Sequence, residues 1–213
     1  MVEQFDPMSS KVLALGERNG GIALWFAMRG FRVICSDLGG PTALAKLLHT
    51  EFGVASRVTY ADVDVFSIPF PDESFDIVAC KSVIGGLKKE HKKASTRTLD
   101  NQAAAVREIL RVLKPGGCFL GAENLTGSRA HRVMRSATKG PVLGWRYPSR
   151  GELEDLFSGF ASIDIEAFGF FGTRTTTFGI DVVTAFLDRV LSPLVPRNWL
   201  YIAFLRAQKS KGF

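Results

Sequence analysis

The order of apolar and polar positions predicts alternating strands and helices over the first half of the chain. Apolar runs predict five buried strands at residues 11–15, 31–36, 57–63, 74–81 and 118–123, and helical spacing occupies residues 20–29, 41–52 and 94–113. Glycine or proline stands at the ends of several of these segments, as is common where helices and strands stop. Strands that alternate with helices are typical of a parallel sheet covered on both faces. We therefore predict a doubly wound α/β fold.

The second half of the chain is less regular. Residues 126–147 are basic, and they precede a predicted helix at 149–157 that begins with the spacing of a capping box, Ser149 and Glu152. A strand at 161–171, an amphipathic helix at 180–191 and a strand at 199–207 follow. No repeat or low-complexity linker separates the halves, so we predict one domain over residues 1–213, with residues 126–148 as a lid or substrate segment.

Composition excludes several classes of protein. The 213 residues are 46% hydrophobic and 23% charged, as in ordinary globular chains. No run of about 18 uncharged apolar residues occurs, which argues against a transmembrane segment. Cys35, Cys80 and Cys118 form no CxxC pair and predict neither a disulfide framework nor a metal site. Without a signal-type segment at the N-terminus, the chain is predicted to be cytoplasmic.

A glycine-rich turn follows the first predicted strand and opens a helix, at residues 15–21. Asp37 follows the second strand, where a carboxylate can accept hydrogen bonds from a ribose diol, so the spacing predicts a nucleoside-type ligand. A nicotinamide cofactor is one option, since Gly16 and Gly20 superficially fit a short-chain dehydrogenase turn. Those enzymes also need a Tyr-xxx-Lys pair, which no tyrosine of this chain provides.

Four motifs together resemble class I S-adenosylmethionine (SAM)-dependent methyltransferases over residues 11 to 124. VLALGERNG at 12–20 resembles V-L-D-x-G-x-G-x-G, and Asp37 matches the acidic residue after the second strand. DVFSIPF at 64–70 with SFDIV at 74–78 resembles D-A-x-x-L-P-F…S-F-D-x-V, and ILRVLKPGG at 109–117 resembles R-x-L-K-P-G-G. Ala14 and Arg18 depart from the first motif, in place of its acid and its middle glycine. The resemblance implies a mostly parallel, seven-stranded sheet with an antiparallel last strand.

The resemblance also implies roles in binding SAM. Gly16 and Gly20 would admit its methionine and ribose parts, and Asp37 would bind the ribose hydroxyls. Asp64, with Asp62 as a rival, would accept from the adenine amino group. The predicted cofactor site comprises Leu15, Gly16, Glu17, Arg18, Gly20, Gly21, Asp37, Leu38, Asp64, Val65, Lys81 and Ser82, with Lys81 and Ser82 bordering the methyl group.

His131 is the predicted general base for methyl transfer to an oxygen atom, because it follows the fifth strand on the predicted lid. Glu123 is a second base or an orienting group, and His49 is interpreted as a surface helix residue. Cys80 lacks the activating neighbours of a covalent nucleophile.

The acceptor is predicted to be a small molecule or glycan, and an anionic one. Lys and Arg outnumber Asp and Glu by 27 to 21, a net charge of +6, although a basic surface alone also accounts for this excess. Five cationic residues lie near the predicted acceptor site, Arg129, Arg132, Arg135, Lys139 and Arg146. Segments at residues 81–86, 122–125, 131–132 and 145–147 resemble a bacterial methyltransferase subgroup associated with surface-polysaccharide biosynthesis.

Two alternatives stay open, a SAM-binding protein without methyl transfer and an RNA methyltransferase. Nucleic acid is disfavoured because the chain has no recognised RNA-binding appendage. The apolar helix from residue 180 and the last strand are expected to pack on the sheet or on a second copy in a homodimer, with membrane-surface contact as the other interpretation.

Overall fold

A mostly parallel sheet of seven strands forms the centre of the described chain. The computed structural model describes residues 2–87, 97–129, 131–133, 146–170 and 180–212. The strands are β1 (Lys11–Leu15), β2 (Arg32–Asp37), β3 (Val58–Asp62), β4 (Phe75–Lys81), β5 (Leu113–Asn124), β6 (Ser162–Phe168) and β7 (Ile202–Gln208). Their order is β3-β2-β1-β4-β5-β7-β6, and β7 runs antiparallel to both of its neighbours. The predicted fold class is thus confirmed.

Helices cover both faces of this sheet. They are α1 (Gly21–Met28), α2 (Ala43–Glu51), α3 (Arg97–Val112), α4 (Arg150–Leu156) and α5 (Ile180–Leu191). The predicted capping box begins α4: the Glu152 N–H donates to Ser149 Oγ at 3.2 Å, and the Ser149 N–H donates to Glu152 Oε2 at 2.7 Å. Residues 94–96 of the predicted long helix lie outside the described residues.

The core has two layers because side chains of a strand alternate between faces. Leu13 and Leu15 of β1 contribute to a cluster that includes residues of α3 and α4. Val12 and Ala14 of the same strand contribute to the opposite cluster, with residues of α1. Parallel strands covered on both faces read as continuous apolar runs, which is why the sequence pattern located them.

The segment Lys114-Pro115-Gly116-Gly117 is part of a strand, whereas the sequence predicted that it only ends the long helix. β5 begins at Leu113, directly after α3. Its register against β4 shifts between Phe75, opposite Leu113, and Ile77, opposite Cys118. Pro115 has no N–H to donate to the ladder, so the strand accommodates it in this irregularity.

Three of the described apolar residues of α5 are exposed, whereas the sequence predicted a helix that packs on the sheet or on a second copy. Val183, Phe186 and Val190 are 57%, 64% and 50% exposed. Among the described residues, no helix is long and apolar enough to cross a membrane.

Candidate active site

The candidate site lies at the carboxyl ends of the parallel strands, where β1 sits between β2 and β4. The chain leaves β1 toward one side of the sheet and β4 toward the other, and such switch points form crevices that bind ligands. The predicted cofactor residues follow these strands. Gly16 comes directly after β1, Asp37 ends β2 and Lys81 ends β4. The topology therefore brings the three motif segments to one edge.

The glycine-rich turn is closed by an internal carboxylate. Glu17 is buried, and its Oε2 accepts hydrogen bonds from the N–H groups of Ile22 at 2.7 Å and Ala23 at 3.0 Å. These two N–H groups at the start of the helix are therefore already bonded within the protein. Burial raises the pKa of the Glu17 carboxyl, and the hydrogen bonds from Ala23 and Ile22 oppose that rise. We infer that the Glu17 side chain shapes the turn.

Gly16 and Gly20 are required by the close approach of other side chains. Both have positive φ, 67° and 75°, which glycine adopts without strain. A Cβ atom on Gly16 would lie 2.4 Å from Val83 Cγ2, and one on Gly20 would lie 2.7 Å from His49 Cε1. Gly16 thus lets the loop after β4 lie against the turn, while Gly20 serves packing on α2.

His49 is fully buried, so its interpretation as a surface residue is wrong. Its Nε2 donates to the Gly20 carbonyl at 2.8 Å, and its Nδ1 pairs with the Tyr60 hydroxyl at 2.8 Å. A carbonyl oxygen only accepts, so the proton is on Nε2 and Tyr60 donates to Nδ1. His49 therefore links the glycine-rich turn to α2 and β3.

The two departures from the first motif have different surroundings. Ala14 is fully buried, and its carbonyl accepts from Ser36 Oγ at 2.8 Å. Arg18 is exposed, while its carbonyl accepts from the N–H and hydroxyl of Thr42 at 3.0 and 2.9 Å. The Arg18 backbone thus holds the turn against the start of α2, and Gly21 at the helix start is exposed.

Three carboxylates surround the ends of β2 and β3. Asp37 is half-buried, and its Oδ1 accepts from the N–H of the exposed Leu38 at 3.0 Å. Asp62 Oδ1 accepts from the Gly39 N–H at 2.7 Å. Asp64 Oδ1 accepts from the Phe66 N–H at 2.9 Å, which makes it a turn cap, and Val65 beside it is buried. Binding of ribose by Asp37 and of adenine by Asp64 stays a prediction.

The loop after β4 is held by one buried carboxylate. Glu123 Oε1 accepts from the N–H groups of Val83 and Ile84, each at 2.9 Å, and Oε2 accepts from Gly85 at 3.4 Å. Its side chain is almost completely buried, and burial raises the pKa of the Glu123 carboxyl against the effect of these hydrogen bonds. Since Glu123 accepts from three backbone donors, we infer that it orients the loop, the second of its two predicted roles.

Ser82 begins this loop in a strained conformation. Its φ is 54°, one of two positive values at non-glycine residues in the described chain, and such strain persists only where neighbours over-determine it. The Ser82 N–H donates to the Ala122 carbonyl at 2.7 Å, and Asn124 Nδ2 donates to Ser82 Oγ at 3.1 Å. Lys81 beside it is exposed. Sequence reasoning missed Asn124, whose place at the end of β5 was the available signal.

Arg146 clamps the same loop, so it is not a free cation for an acceptor as predicted. Its N–H donates to the Gly85 carbonyl at 2.8 Å, and its guanidinium donates to Gln102 Oε1 at 2.9 Å and pairs with Glu152. Gln102 Nε2 in turn donates to the Ile84 carbonyl at 3.0 Å. Of the other predicted cations, Arg129 and Arg132 are exposed. Arg135 and Lys139, like most of the predicted lid, lie outside the described residues.

His131 is buried with both ring nitrogens in hydrogen bonds. Nε2 donates to the Phe170 carbonyl at 2.6 Å, so Nδ1 is the acceptor for the Ser128 N–H at 3.3 Å and hydroxyl at 2.9 Å. Its ring also lies against Tyr201, with centroids 5.1 Å apart. A proton on Nδ1 would face the Ser128 N–H, so this geometry argues against the predicted role as general base.

We expect His131→Gln to lower the melting temperature while leaving the pH dependence of kcat unchanged. The Gln amide can donate to Phe170 but cannot reproduce the bond to Ser128, a loss of about 1 kcal/mol. Melting curves and a pH–rate profile with the acceptor proposed below would measure both effects. Loss of one limb of the wild-type profile in this variant would restore the general-base role.

The three cysteines are buried and free. Burial raises the pKa of the Cys35 thiol to about 12 and that of Cys118 to about 11, and it also raises the pKa of Cys80. We expect no reaction of the native protein with an aromatic disulfide reagent near pH 8, and three thiols released after unfolding in urea. Rapid labelling of the folded protein at Cys80, located by peptide mass spectrometry, would instead mark a reactive thiolate.

The part of the chain that contains this turn and these strand ends matches a known family. The sequence profile described as "methyltransferase domain" matches residues 13–121, just over half of the 213 residues. The chain belongs to this methyltransferase family. Membership confirms the predicted methyltransferase class.

Individual relatives agree with the family assignment. The ubiquinone/menaquinone biosynthesis C-methyltransferase of Shewanella frigidimarina is 31% identical over 132 residues, 59% of this chain and 46% of that protein. The 2-methyl-6-phytyl-1,4-hydroquinone methyltransferase of Synechocystis is 28% identical over 211 residues, 91% of this chain and 58% of that protein. The chain thus spans about half the length of these curated relatives.

A solved structure shares the fold. Phosphoethanolamine N-methyltransferase 2 of Haemonchus contortus, in complex with SAM, superposes with a TM-score of 0.63 at 22% identity, over 98% of this chain and 51% of that chain. At this level of identity the likeness establishes the fold of the methyltransferase, and the acceptor has to be inferred from the site.

Proposed function

We propose that the chain transfers the methyl group of SAM to a small aromatic acceptor that carries an acidic hydroxyl group. The proposal rests on the side chains near the carboxyl ends of β4 and β5, where the methyl group of SAM is predicted to lie. Lys81 is exposed at the end of β4, whereas Glu123 and His131 are both occupied by protein partners. The described edge thus offers a cation to the acceptor rather than a free general base.

The residues that are predicted to bind the cofactor have the chemistry to hold SAM. Asp37 would accept hydrogen bonds from the ribose hydroxyls, and Asp64 would accept from the adenine amino group. Gly16 has no side chain, and a Cβ atom there would clash with Val83. The methionine part of SAM would lie against the backbone of this turn. When bound, SAM supplies a methyl group on a positively charged sulfur.

The residues around the acceptor have to position its nucleophilic atom, and they have less need to activate that atom. Transfer to a nucleophile that is already ionised requires mainly alignment and proximity. A cation near a phenolic hydroxyl favours its ionised form. Lys81 would stabilise the negative charge of the phenolate before transfer. With SAM bound, the phenolate oxygen would form a bond to the methyl carbon as the bond from that carbon to sulfur breaks, and S-adenosylhomocysteine would leave. Transfer to the ring carbon would additionally release the proton of that carbon to solvent. Ser82, held by Asn124, and the loop held by Glu123 would border the acceptor beside Lys81.

The names of both curated relatives refer to quinone or hydroquinone compounds, and this chemistry agrees with the proposed acceptor. An anionic glycan, the acceptor expected from the polysaccharide-associated subgroup, is the second candidate. The exposed Arg129 and Arg132 favour it, since guanidinium groups recognise phosphate and carboxylate. For either acceptor we propose a cytoplasmic reaction, in keeping with the three free cysteines.

An acceptor panel tests the proposal. Purified protein with SAM is incubated with a substituted hydroquinone, a neutral sugar, a sugar phosphate or a short RNA, and methylated products are identified by mass spectrometry. We expect product from the hydroquinone, with a rate that rises as the phenol ionises. Product from the sugar phosphate alone would support the second candidate. Product from RNA alone, or bound SAM without any product, would support the remaining alternatives.

A further inference from the structure

The connection between β6 and β7 is longer than its topology requires. These strands are antiparallel neighbours, which a hairpin of two to five residues commonly joins. Here residues 169–201 lie between them, including α5. Phe168 at the end of β6 pairs with Ile202 at the start of β7. Ile202 also pairs with Asn124 at the end of β5. The connection therefore emerges at the edge of the sheet that holds the candidate acceptor site.

The described part of α5 has an apolar stripe that faces away from the protein. Val183, Phe186 and Val190 are separated by three and four residues, so they share one helix face, and all are at least half exposed. Leu194, after the helix, is 80% exposed. The polar Asp188 has an inward role, because its Oδ1 accepts from the Phe170 N–H at 2.7 Å. An exposed apolar stripe of this kind differs from the helix face that packs on a core.

The base of the connection is fixed to the segment after β5. The Phe170 carbonyl accepts from His131 Nε2 at 2.6 Å, and the rings of Phe170 and Trp199 stack with centroids 6.0 Å apart. His131 also lies against Tyr201, which directly precedes β7. The apolar stripe therefore belongs to a connection whose two ends are held against the protein next to the candidate acceptor site.

Exposed cations accompany the stripe. Arg189 and Arg197 are exposed within the connection, and Arg129 and Arg132 are exposed on the segment to which it is anchored. Trp199, half exposed at the base, is a residue type enriched at membrane interfaces. An apolar helix face accompanied by arginines and an interfacial tryptophan is the pattern of a segment that lies in the plane of an anionic bilayer.

We propose that residues 183–199, which we call the apolar segment, bind the surface of an anionic lipid bilayer. Val183, Phe186, Val190 and Leu194 would insert below the headgroups, with the arginines at the phosphate level. A second copy of the chain fits this face less well, because a two-fold interface would bring its arginines together. The further step, that a lipid-soluble acceptor enters from the bilayer, rests on the proposed function, whereas lipid binding does not.

Vesicle flotation tests lipid binding without reference to activity. The full chain is mixed with vesicles of phosphatidylcholine alone or with 30% phosphatidylglycerol, and the floated fraction is measured. We expect flotation with the anionic vesicles, reduced at least tenfold in the double variant Phe186→Ser/Leu194→Ser and reduced by added salt. Leu47→Ser is the matched control, since Leu47 is equally exposed on α2 at the far side of the sheet. It should float like the wild type.

Each other result contradicts the proposal. Wild-type protein that stays unbound with both vesicles, or a double variant that floats normally, would show that the apolar segment does not bind lipid. A dimer in light scattering that the double variant abolishes, without flotation, would assign the face to a second copy. Titration of the double variant with SAM confirms that its fold is intact. Because SAM binding and flotation are separate measurements, failure of the methyl-transfer proposal is distinguishable from failure of lipid binding.

Discussion

Glu123→Ala is expected to reduce the free energy of unfolding by about 3–5 kcal/mol, since it removes the acceptor of several buried donors at about 1–3 kcal/mol each. The donors are the N–H groups of Val83, Ile84 and Gly85, which lie in a single loop after β4. Alanine leaves the buried N–H groups of Ile84 and Gly85, and the half-buried one of Val83, without these partners. Urea denaturation followed by circular dichroism would measure the change.

Glu123→Gln is the matched control, because it retains the shape and one acceptor oxygen. Its amide nitrogen would face a backbone donor, so we expect a loss smaller than that for alanine but still measurable, about 1–3 kcal/mol. If both variants unfold at the wild-type urea concentration, Glu123 does not hold the loop. If only alanine is destabilised, the shape of the side chain matters more than its second oxygen.

The free energy of unfolding of wild type relative to Glu123→Gln is also expected to depend on pH. Burial raises the pKa of Glu123 in the folded protein above its ordinary value of 4.5. A carboxyl with a raised folded pKa contributes stability at low pH, and that contribution is lost as pH rises through the folded pKa. Glutamine does not titrate, so the difference in unfolding free energy between wild type and Glu123→Gln should narrow as the pH rises above the ordinary value of 4.5. A difference independent of pH would contradict the assigned shift.

Much of the fold could be predicted because its signals are local. A strand buried on both faces is an apolar run whatever its neighbours are, and the five runs of the first half appear as β1 to β5. The turn after β1 needs a residue that tolerates positive φ, which is visible as Gly16 in a single segment. Asp37 is predictable for the same reason, since it directly ends an apolar run.

Other features depend on distant partners and could not be predicted. His49 looks like a surface residue among its helix neighbours, yet Tyr60 and the Gly20 carbonyl, 11 and 29 positions away, bind its ring. Glu123 is of a residue type that often acts as a catalytic base. Its hydrogen bond from the Val83 N–H joins residues 40 positions apart, so the sequence alone does not reveal it. The apolar periodicity of α5 showed that the helix has an apolar face, while only the structure shows where that face points.

Asp37→Ala is expected to raise the Kd for SAM about 100-fold. Two hydrogen bonds from ribose hydroxyls to a carboxylate contribute about 1.5 kcal/mol or more each, and every 1.4 kcal/mol corresponds to a factor of ten in Kd. The substitution costs the folded protein little by comparison, because Asp37 is half-buried and its Oδ1 bonds only its own neighbour, Leu38, among the contacts described for that atom. The loss should therefore appear in binding rather than in stability.

Asp62→Ala is the matched control for this result, because the two residues pair across β2 and β3 at the same edge. Asp62 accepts from the Gly39 N–H, so its loss should loosen the loop and weaken SAM binding only severalfold. Isothermal titration with SAM and with S-adenosylhomocysteine, beside melting curves of the free proteins, separates binding from folding. Equal Kd values for wild type and Asp37→Ala would remove Asp37 from the ribose site. A larger loss for Asp62→Ala would move the ribose to β3, because the carboxylate that binds the diol must dominate the free energy of binding at this edge.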